Sequence, residues 1–239
     1  MFLGGNMNNK NKTNRLYMII ILVGFVLSLI IINSSLDLYN KAKLRKEILS
    51  INEILNADNF DEEKLDKKLN KLVTENDYRK VEASYKDYLK DNVELLNEID
   101  EFFINDETDE ILSIDNIKLD GKDFKVSKAT LKDSTKDLTK LKEKYDNSFK
   151  EEHVLSYIKD KKLKDRYNSF YKKEVIDNLT KTKIEKEVSK GLENKLKEYD
   201  KIDKILNFLI DHKDNYIVKD GDIVFDEENL LLEYNKLAK

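Results

Sequence analysis

The sequence predicts an all-α fold: an elongated helical bundle or antiparallel coiled coil, with one or two small β-hairpins and one N-terminal transmembrane helix. Three observations predict it. Proline is absent from the 239 residues and glycine occurs only six times, where average usage would supply about twelve prolines, so little opposes long helices. Apolar residues recur at steps of three and four over several long stretches, the spacing of one helical face. Charged residues make up 38% of the chain against a typical ~25%, which leaves each helix one narrow apolar stripe to bury.

The membrane helix comes first. Of the 18 residues from Leu16 to Asn33, 15 are apolar, and the 21 residues from Leu16 to Leu36 carry no charge. As a helix they rise ~30 Å, the thickness of the hydrocarbon core. A cleavable signal peptide has a shorter apolar region of ~7–15 residues followed by a small-residue cleavage site. Here Asn33-Ser34-Ser35-Leu36-Asp37 lacks alanines. The reading is a single-pass signal anchor at 16–36, a basic cytoplasmic tail at 1–15, and a helical, extracytoplasmic domain at 37–239.

Direction follows from the tail, which holds Lys10, Lys12 and Arg15 and no acid, and from the tendency of long domains to translocate regardless of charge. Lys41, Lys43, Arg45 and Lys46 just beyond the anchor pull the other way, so a cytoplasm-facing domain is the alternative. Leu3-Gly4-Gly5-Asn6 is what a TTAGGAGGTAAT ribosome-binding sequence encodes when read as protein. That points to a bacterial source and to translation from Met7.

Beyond the anchor, Lys41, Leu44, Ile48, Ile51 and Leu55 continue a helical stripe, and Asn56–Asn59 reads as a loop. Asp61 is placed to cap a helix carrying Glu62 and Glu63 in its first turn and Leu65, Leu69 and Leu72 on one face. From Asp77 a long stripe runs through Tyr78, Val81, Tyr85, Tyr88, Asn92, Leu96, Ile99 and Phe103. Residues 91–123 hold twelve acids and two bases, and Asp106–Glu110 reads as a solvated connection.

Ile117-Lys118-Leu119, Asp120-Gly121, Phe124 and Val126 suggest a first hairpin, since Asp-Gly supplies the positive φ angles of a tight turn. Ser127 or Thr130 then caps a helix with Leu131, Leu138, Leu141 and Tyr145. Val154, Tyr157, Leu163, Tyr167, Phe170 and Val175 carry a looser stripe, and Asn178 marks a turn. Ile184, Val188, Leu192, Leu196, Tyr199, Ile202, Leu206 and Leu209 form the next. The stronger hairpin is expected near 216–225, where Tyr216-Ile217-Val218 and Ile223-Val224-Phe225 flank Asp220-Gly221. Asp226 should cap a last helix with Leu230, Leu231, Tyr234 and Leu237.

The residues restrict the chemistry. There is no cysteine, which removes disulfides, thiolate catalysis and thiolate metal sites. His153 and His212 lie among charged residues with no nucleophile motif beside them and read as solvated. Neither Asp-Gly pair fits a calcium loop, because Lys118 or Val218 would stand where an oxygen ligand is required. Phosphate-cradling glycines are missing. Paired carboxylates carry no specificity among 48 acids. No catalytic, cofactor-binding or metal-ligating residue is assigned, and an enzyme with a site between helices is the least favoured reading.

Residues beyond 33 hold 41 bases against 48 acids, which argues against nucleic acid as a partner. One basic stretch stands out: Lys159, Lys161, Lys162, Lys164, Arg166, Lys172 and Lys173, with Tyr167, Phe170 and Tyr171 among them. It is the candidate polyanion-binding segment, against the blander reading of a charged helix face with its aromatics in the core. The expected function is that of a membrane-anchored, non-enzymatic bacterial envelope protein. Its helical domain would bind a partner protein or an anionic envelope polymer, with an oligomer through the stripes as a compatible addition. A cytoplasm-facing, membrane-tethered scaffold is the alternative.

Overall fold

The computed structural model describes residues 35–57, 61–176 and 183–238. They are mostly helical, with one two-stranded antiparallel sheet. The anchor expected at 16–36 lies, Ser35 and Leu36 excepted, outside the described residues, as does the turn expected at Asn178. Among those described, no helix is long and apolar enough to cross a membrane. The chain divides between Ala83 and Ser84 into two compact units.

In the first unit, α1 (35–55) buries Leu44, Ile48, Ile51 and Ile54; Ile54 takes the place expected for Leu55. Helix α2 (Glu62–Leu69) starts at Asp61, whose carboxylate accepts from the Lys64 N–H at 2.9 Å, and buries Leu65 and Leu69. It stops before Leu72. The loop that follows is held by side chains: Glu82 accepts from the Val73 and Thr74 N–H groups and from the Thr74 hydroxyl, and Asn40 accepts from the Glu75 N–H. Lys68 pairs with Glu47 at 2.9 Å. Buried polar groups are thereby satisfied rather than orphaned.

Helix α3 (Asn76–Ile104) crosses the division. In the second unit its buried face runs Tyr85, Tyr88, Leu95 and Ile99. The expected stripe holds through Leu96, which packs on the core, and fails at Phe103, which is exposed while Phe102 packs on the core in its place. Polar Asn92 lies on this face, as expected, and its side-chain N–H donates to the Tyr88 carbonyl at 2.8 Å.

The first expected hairpin is absent. Helix α4 (Ile114–Asp120) forms there, capped by the Ser113 hydroxyl, which accepts from the Asn116 N–H. Gly121 turns the chain at φ 71° and Phe124, at φ 46°, is fully buried. Helix α5 (Lys125–Ser148) is capped from Asp120, whose carboxylate accepts from the Val126 and Ser127 N–H groups at 3.0 and 2.7 Å. Neither Ser127 nor Thr130 is the cap. Ser127 is buried and its oxygen accepts from Asn116 Nδ2.

Helices α5 and α8 (Lys183–Asp211) run antiparallel. Lys128 meets Asp203 at one end and Asp146 meets Ser189 towards the other. Between them lie Leu131, Leu138 and Tyr145 of α5 and Leu192, Tyr199, Ile202, Leu206 and Leu209 of α8, in one core with Leu95, Ile99 and Phe124. Each such side chain contributes ~1.5–3 kcal/mol when fully buried.

The second hairpin is present. β1 (Tyr216–Lys219) pairs with β2 (Asp222–Phe225) in the register Tyr216↔Phe225 to Lys219↔Asp222, with Asp220 and Gly221 at φ 54° and 88°. Two positive φ angles are what a two-residue type I′ turn demands. Asp226 does not cap the last helix, α9 (Glu228–Ala238). Its N–H and carboxylate are both engaged with Asn215, closing the hairpin. Leu231, expected in the α9 stripe, is exposed.

Candidate polyanion-binding surface

The basic stretch spans a helix, a reversal and a second helix. α6 (Glu151–Lys159) buries Val154 and Ile158. The chain reverses through 160–164, where the Lys161 N–H donates to the Ile158 carbonyl at 3.0 Å and Lys162 adopts a left-handed φ of 51°. α7 (Asp165–Tyr171) follows and runs into a π-helical turn at Lys172–Ile176. Tyr167, Phe170, Tyr171, Val175 and Ile176 are all buried. The Tyr171 hydroxyl donates to the Val154 carbonyl at 3.2 Å, tying α7 to α6. Burial, followed by the neighbouring tyrosines and Asp87, holds that hydroxyl well above the usual phenol range.

Because the chain reverses, the seven cations do not share one face. Lys172 pairs with Glu151, which places it beside the start of α6, while Lys159 ends that helix, ~12 Å along its axis. Lys159, Lys161, Lys162, Lys164 and Arg166 therefore gather about the reversal, and all five are exposed. The Arg166 guanidinium stacks 4.7 Å from the Tyr167 ring centroid and donates to its hydroxyl at 2.6 Å. Among the described residues no ion pair joins Lys159, Lys161, Lys162, Lys164 or Lys173. Asp160 and Asp165 are the acids within the turn.

An aromatic cluster joins α6 to α3. Tyr88, His153 and Tyr157 meet edge to face, with centroids 5.5–6.5 Å apart. The Tyr157 hydroxyl donates to Asp91 at 2.5 Å, and the Ser84 hydroxyl donates to the Tyr157 carbonyl. Burial and then Asp91 push the Tyr157 hydroxyl far above the phenol range, so it stays a neutral donor. Aromatic pairs in this geometry add ~0.5–1.5 kcal/mol each. His153 is exposed at its edge, as expected. His212 is not simply solvated: it is half-buried, 4.6 Å from the Phe208 ring.

A second charged cluster was invisible in the sequence. Asp106–Glu110 connects two helices with Glu107, Asp109 and Glu110 exposed, as expected, but it is folded as a 3-10 turn (Glu107–Glu110) in which Thr108 is buried and the Asp106 side chain is 2% exposed. Asp106 accepts from the Thr108 N–H and hydroxyl and from the Tyr199 hydroxyl at 2.8 Å. Lys195 lies 2.7 Å from Asp109, 3.2 Å from Asp106 and 3.3 Å from Glu198. Burial works to raise the Asp106 carboxyl, but hydrogen bonds from Thr108, Tyr199 and Lys195 outweigh it and hold the group below the usual range. Burial likewise opposes the Lys195 charge, and its carboxylates prevail, raising it. A lysine so held stays protonated and is no nucleophile. The cluster pins α8 to the end of α3. Its members are 86–93 residues apart in sequence, so no local pattern could have revealed it.

Among the described residues no group of three or more histidine, aspartate or glutamate side chains is arranged to hold a metal ion. No protein-family model matches the chain, and no curated protein or solved structure is significantly similar to it.

Proposed function

We propose that this chain is a membrane-anchored, non-enzymatic bacterial envelope protein whose helical domain engages an anionic envelope polymer through the α6–α7 turn. The observation that carries the reading is the gathering of Lys159, Lys161, Lys162, Lys164 and Arg166, all exposed, on a reversal whose aromatics are buried beneath it. Cations on an ordered base lose little freedom on binding and attract a repeating polyanion by summed charge. The 16–36 segment supplies the anchor, and the heptad-like seam of α5 and α8 supplies the antiparallel coiled-coil character of the bundle. Long helices offer side surface rather than deep concavity, which suits binding over chemistry.

The test uses full-length protein and poly(glycerol phosphate) as the probe. Wild type should bind at physiological ionic strength, more tightly in lower salt, and release at high salt, where the Debye length falls to ~3 Å. The triple variant Lys161→Glu/Lys162→Glu/Lys164→Glu should not bind. Retained binding in that variant would dispose of the turn as the site. Protease removal of a C-terminal tag from intact protoplasts checks the topology. Survival of the tag until the membrane is broken would turn the domain to the cytoplasm, and the envelope polymer could no longer be the partner.

A further inference from the structure

We infer that the first turns of α1 form an anionic-phospholipid headgroup site, built from Tyr39, Lys43 and Lys46 at the membrane surface. The inference rests on reading 16–36 as a membrane span. It concerns a different surface and ligand from the polymer turn.

Helix α1 exposes apolar side chains among the charged Arg45 and Lys46. Leu36 is 45% exposed, Leu38 67%, Tyr39 61% and Leu49 59%, while Leu44, Ile48 and Ile51 on the opposite side are buried. Leu36, Leu38 and Tyr39 lie together at the start of the helix, and exposed apolar side chains grouped in this way mark contact with an apolar phase. The chain says what that phase is. The exposed residues begin where the uncharged segment of 21 residues ends, so the surface nearest them is the bilayer that segment would span.

The spacing fits the interface. Along a helix, Tyr39 lies ~4.5 Å, Lys43 ~10 Å and Lys46 ~15 Å beyond Leu36. The headgroup layer is ~5–7 Å deep on each side of the hydrocarbon, so Tyr39 lies within it and the lysine stems extend back towards it. Tyrosine prefers that layer, where its ring is half-apolar and its hydroxyl wet. Lys43 reaches back to it: its ammonium sits 5.6 Å from the Tyr39 ring centroid. Lysine stems lie along apolar surface while their charges seek phosphate.

A groove of about 500 Å³ begins at Tyr39 and runs along α1 past Ala42, Lys43 and Lys46 to Ser50 and Val73. Glu47 also borders it, but its carboxylate is engaged by Lys68 at 2.9 Å and is only 6% exposed. The Ser50 hydroxyl already donates to the Glu47 carbonyl at 3.0 Å, so the groove offers two ammonium groups and the Tyr39 ring to a phosphodiester headgroup.

The absence of tryptophan from the chain makes the test direct. Tyr39→Trp and, separately, Ile30→Trp are placed in full-length protein reconstituted in phosphatidylcholine vesicles with or without phosphatidylglycerol. Tyr39→Trp should be quenched by lipid brominated near the headgroup, and Ile30→Trp by lipid brominated deep in the chain. Brominated phosphatidylglycerol should quench Tyr39→Trp more than brominated phosphatidylcholine does, reporting local enrichment. That preference should fall about fivefold for each lysine lost in Lys43→Gln and Lys46→Gln. If the tryptophan at 39 is unquenched while that at 30 is quenched, the interfacial placement is wrong and the span survives. If neither is quenched, the span itself fails. If the preference for phosphatidylglycerol persists in the double lysine variant, the headgroup site is overturned.

Discussion

Two segments of this chain carry nearly the same local message and fold in opposite ways. Residues 117–126 and 216–225 each place Asp-Gly between short apolar runs. The second is a hairpin with both turn residues at positive φ. The first is the end of α4, a glycine turn and the start of α5. The difference lies in what flanks the turn. Around Gly221 stand Ile217, Val218, Ile223 and Val224 with Tyr216 and Phe225 outside them, a dense set of strand formers. Around Gly121 the second flank begins Lys122-Asp123, which face outward and grip the other segment. Lys122 donates to the carbonyls of Lys213 and Tyr216, and Asp123 pairs with Lys213. One Asp-Gly segment thus became the scaffold on which the other is seated.

Breaking that comparison begins with Phe124. It is fully buried in the core shared by α5 and α8 and keeps a left-handed backbone, which a bulky residue adopts only under tertiary constraint. Phe124→Ala should cost ~3–5 kcal/mol in chemical denaturation followed by circular dichroism. Ile217→Ala, on the outward face of the hairpin and 57% exposed, should stay within ~0.5 kcal/mol. Equal costs would mean that the two segments are anchored alike, contrary to the packing.

The glycines sharpen the contrast. Nothing lies within 4 Å of a Cβ built at Gly121 or Gly221, so alanine meets no steric obstacle at either and only backbone conformation counts. Gly121 sits at φ 71°, ψ 177°, a region almost reserved for glycine, and Gly121→Ala should cost ~1–3 kcal/mol. Gly221 occupies a turn position of ordinary left-handed kind, and Gly221→Ala should cost ~1 kcal/mol. The same denaturation assay ranks them, and a reversed order would mean that the α4–α5 turn is looser than its geometry implies.

What the sequence disclosed follows the same division between local and distant causes. The α8 face from Leu192 to Leu209 was readable because periodicity alone defines a helix that long, and the 216–225 hairpin because its turn and flanks agreed. Asp61 was readable as a cap because its partner is three residues away. The α4 helix was not, although Ser113 caps it from three residues away, because Asp120-Gly121 between apolar residues also fits a hairpin, and the burial of Phe124 in the core with Leu95, Ile99 and Leu131 is not visible locally. The cations of 159–166 were evident as a run, but their separation from Lys172 and Lys173 came from the reversal that the Tyr171–Val154 bond closes. The Lys195 cluster required tertiary structure from the outset.

The two aspartates give the most specific contrast. Asp120 replaces a hairpin turn residue with a helix cap, so Asp120→Ala should lose ~1–2 kcal/mol, whereas Asp220→Gly should be near neutral because glycine meets its φ of 54° at no steric cost. The Asp120 contribution has a pH signature. Burial pushes its carboxyl up, but the Ser127 N–H and hydroxyl and the Val126 N–H outweigh that and hold it below the usual carboxylate range. A depressed folded-state value means that the carboxylate stabilises the fold above the unfolded value of ~3.9 and ceases to do so as pH falls through the folded one. Other carboxylates titrate in the same window, Asp106 among them, so total stability against pH is not diagnostic. The difference between wild type and Asp120→Asn is, because every other group cancels. That difference should be constant from neutral pH to about pH 5 and shrink towards zero in stronger acid, as the protonated carboxyl comes to resemble the amide. A difference that persists undiminished in acid would mean that Asp120 acts by shape, and that charge has no part in choosing a helix over a hairpin at this Asp-Gly.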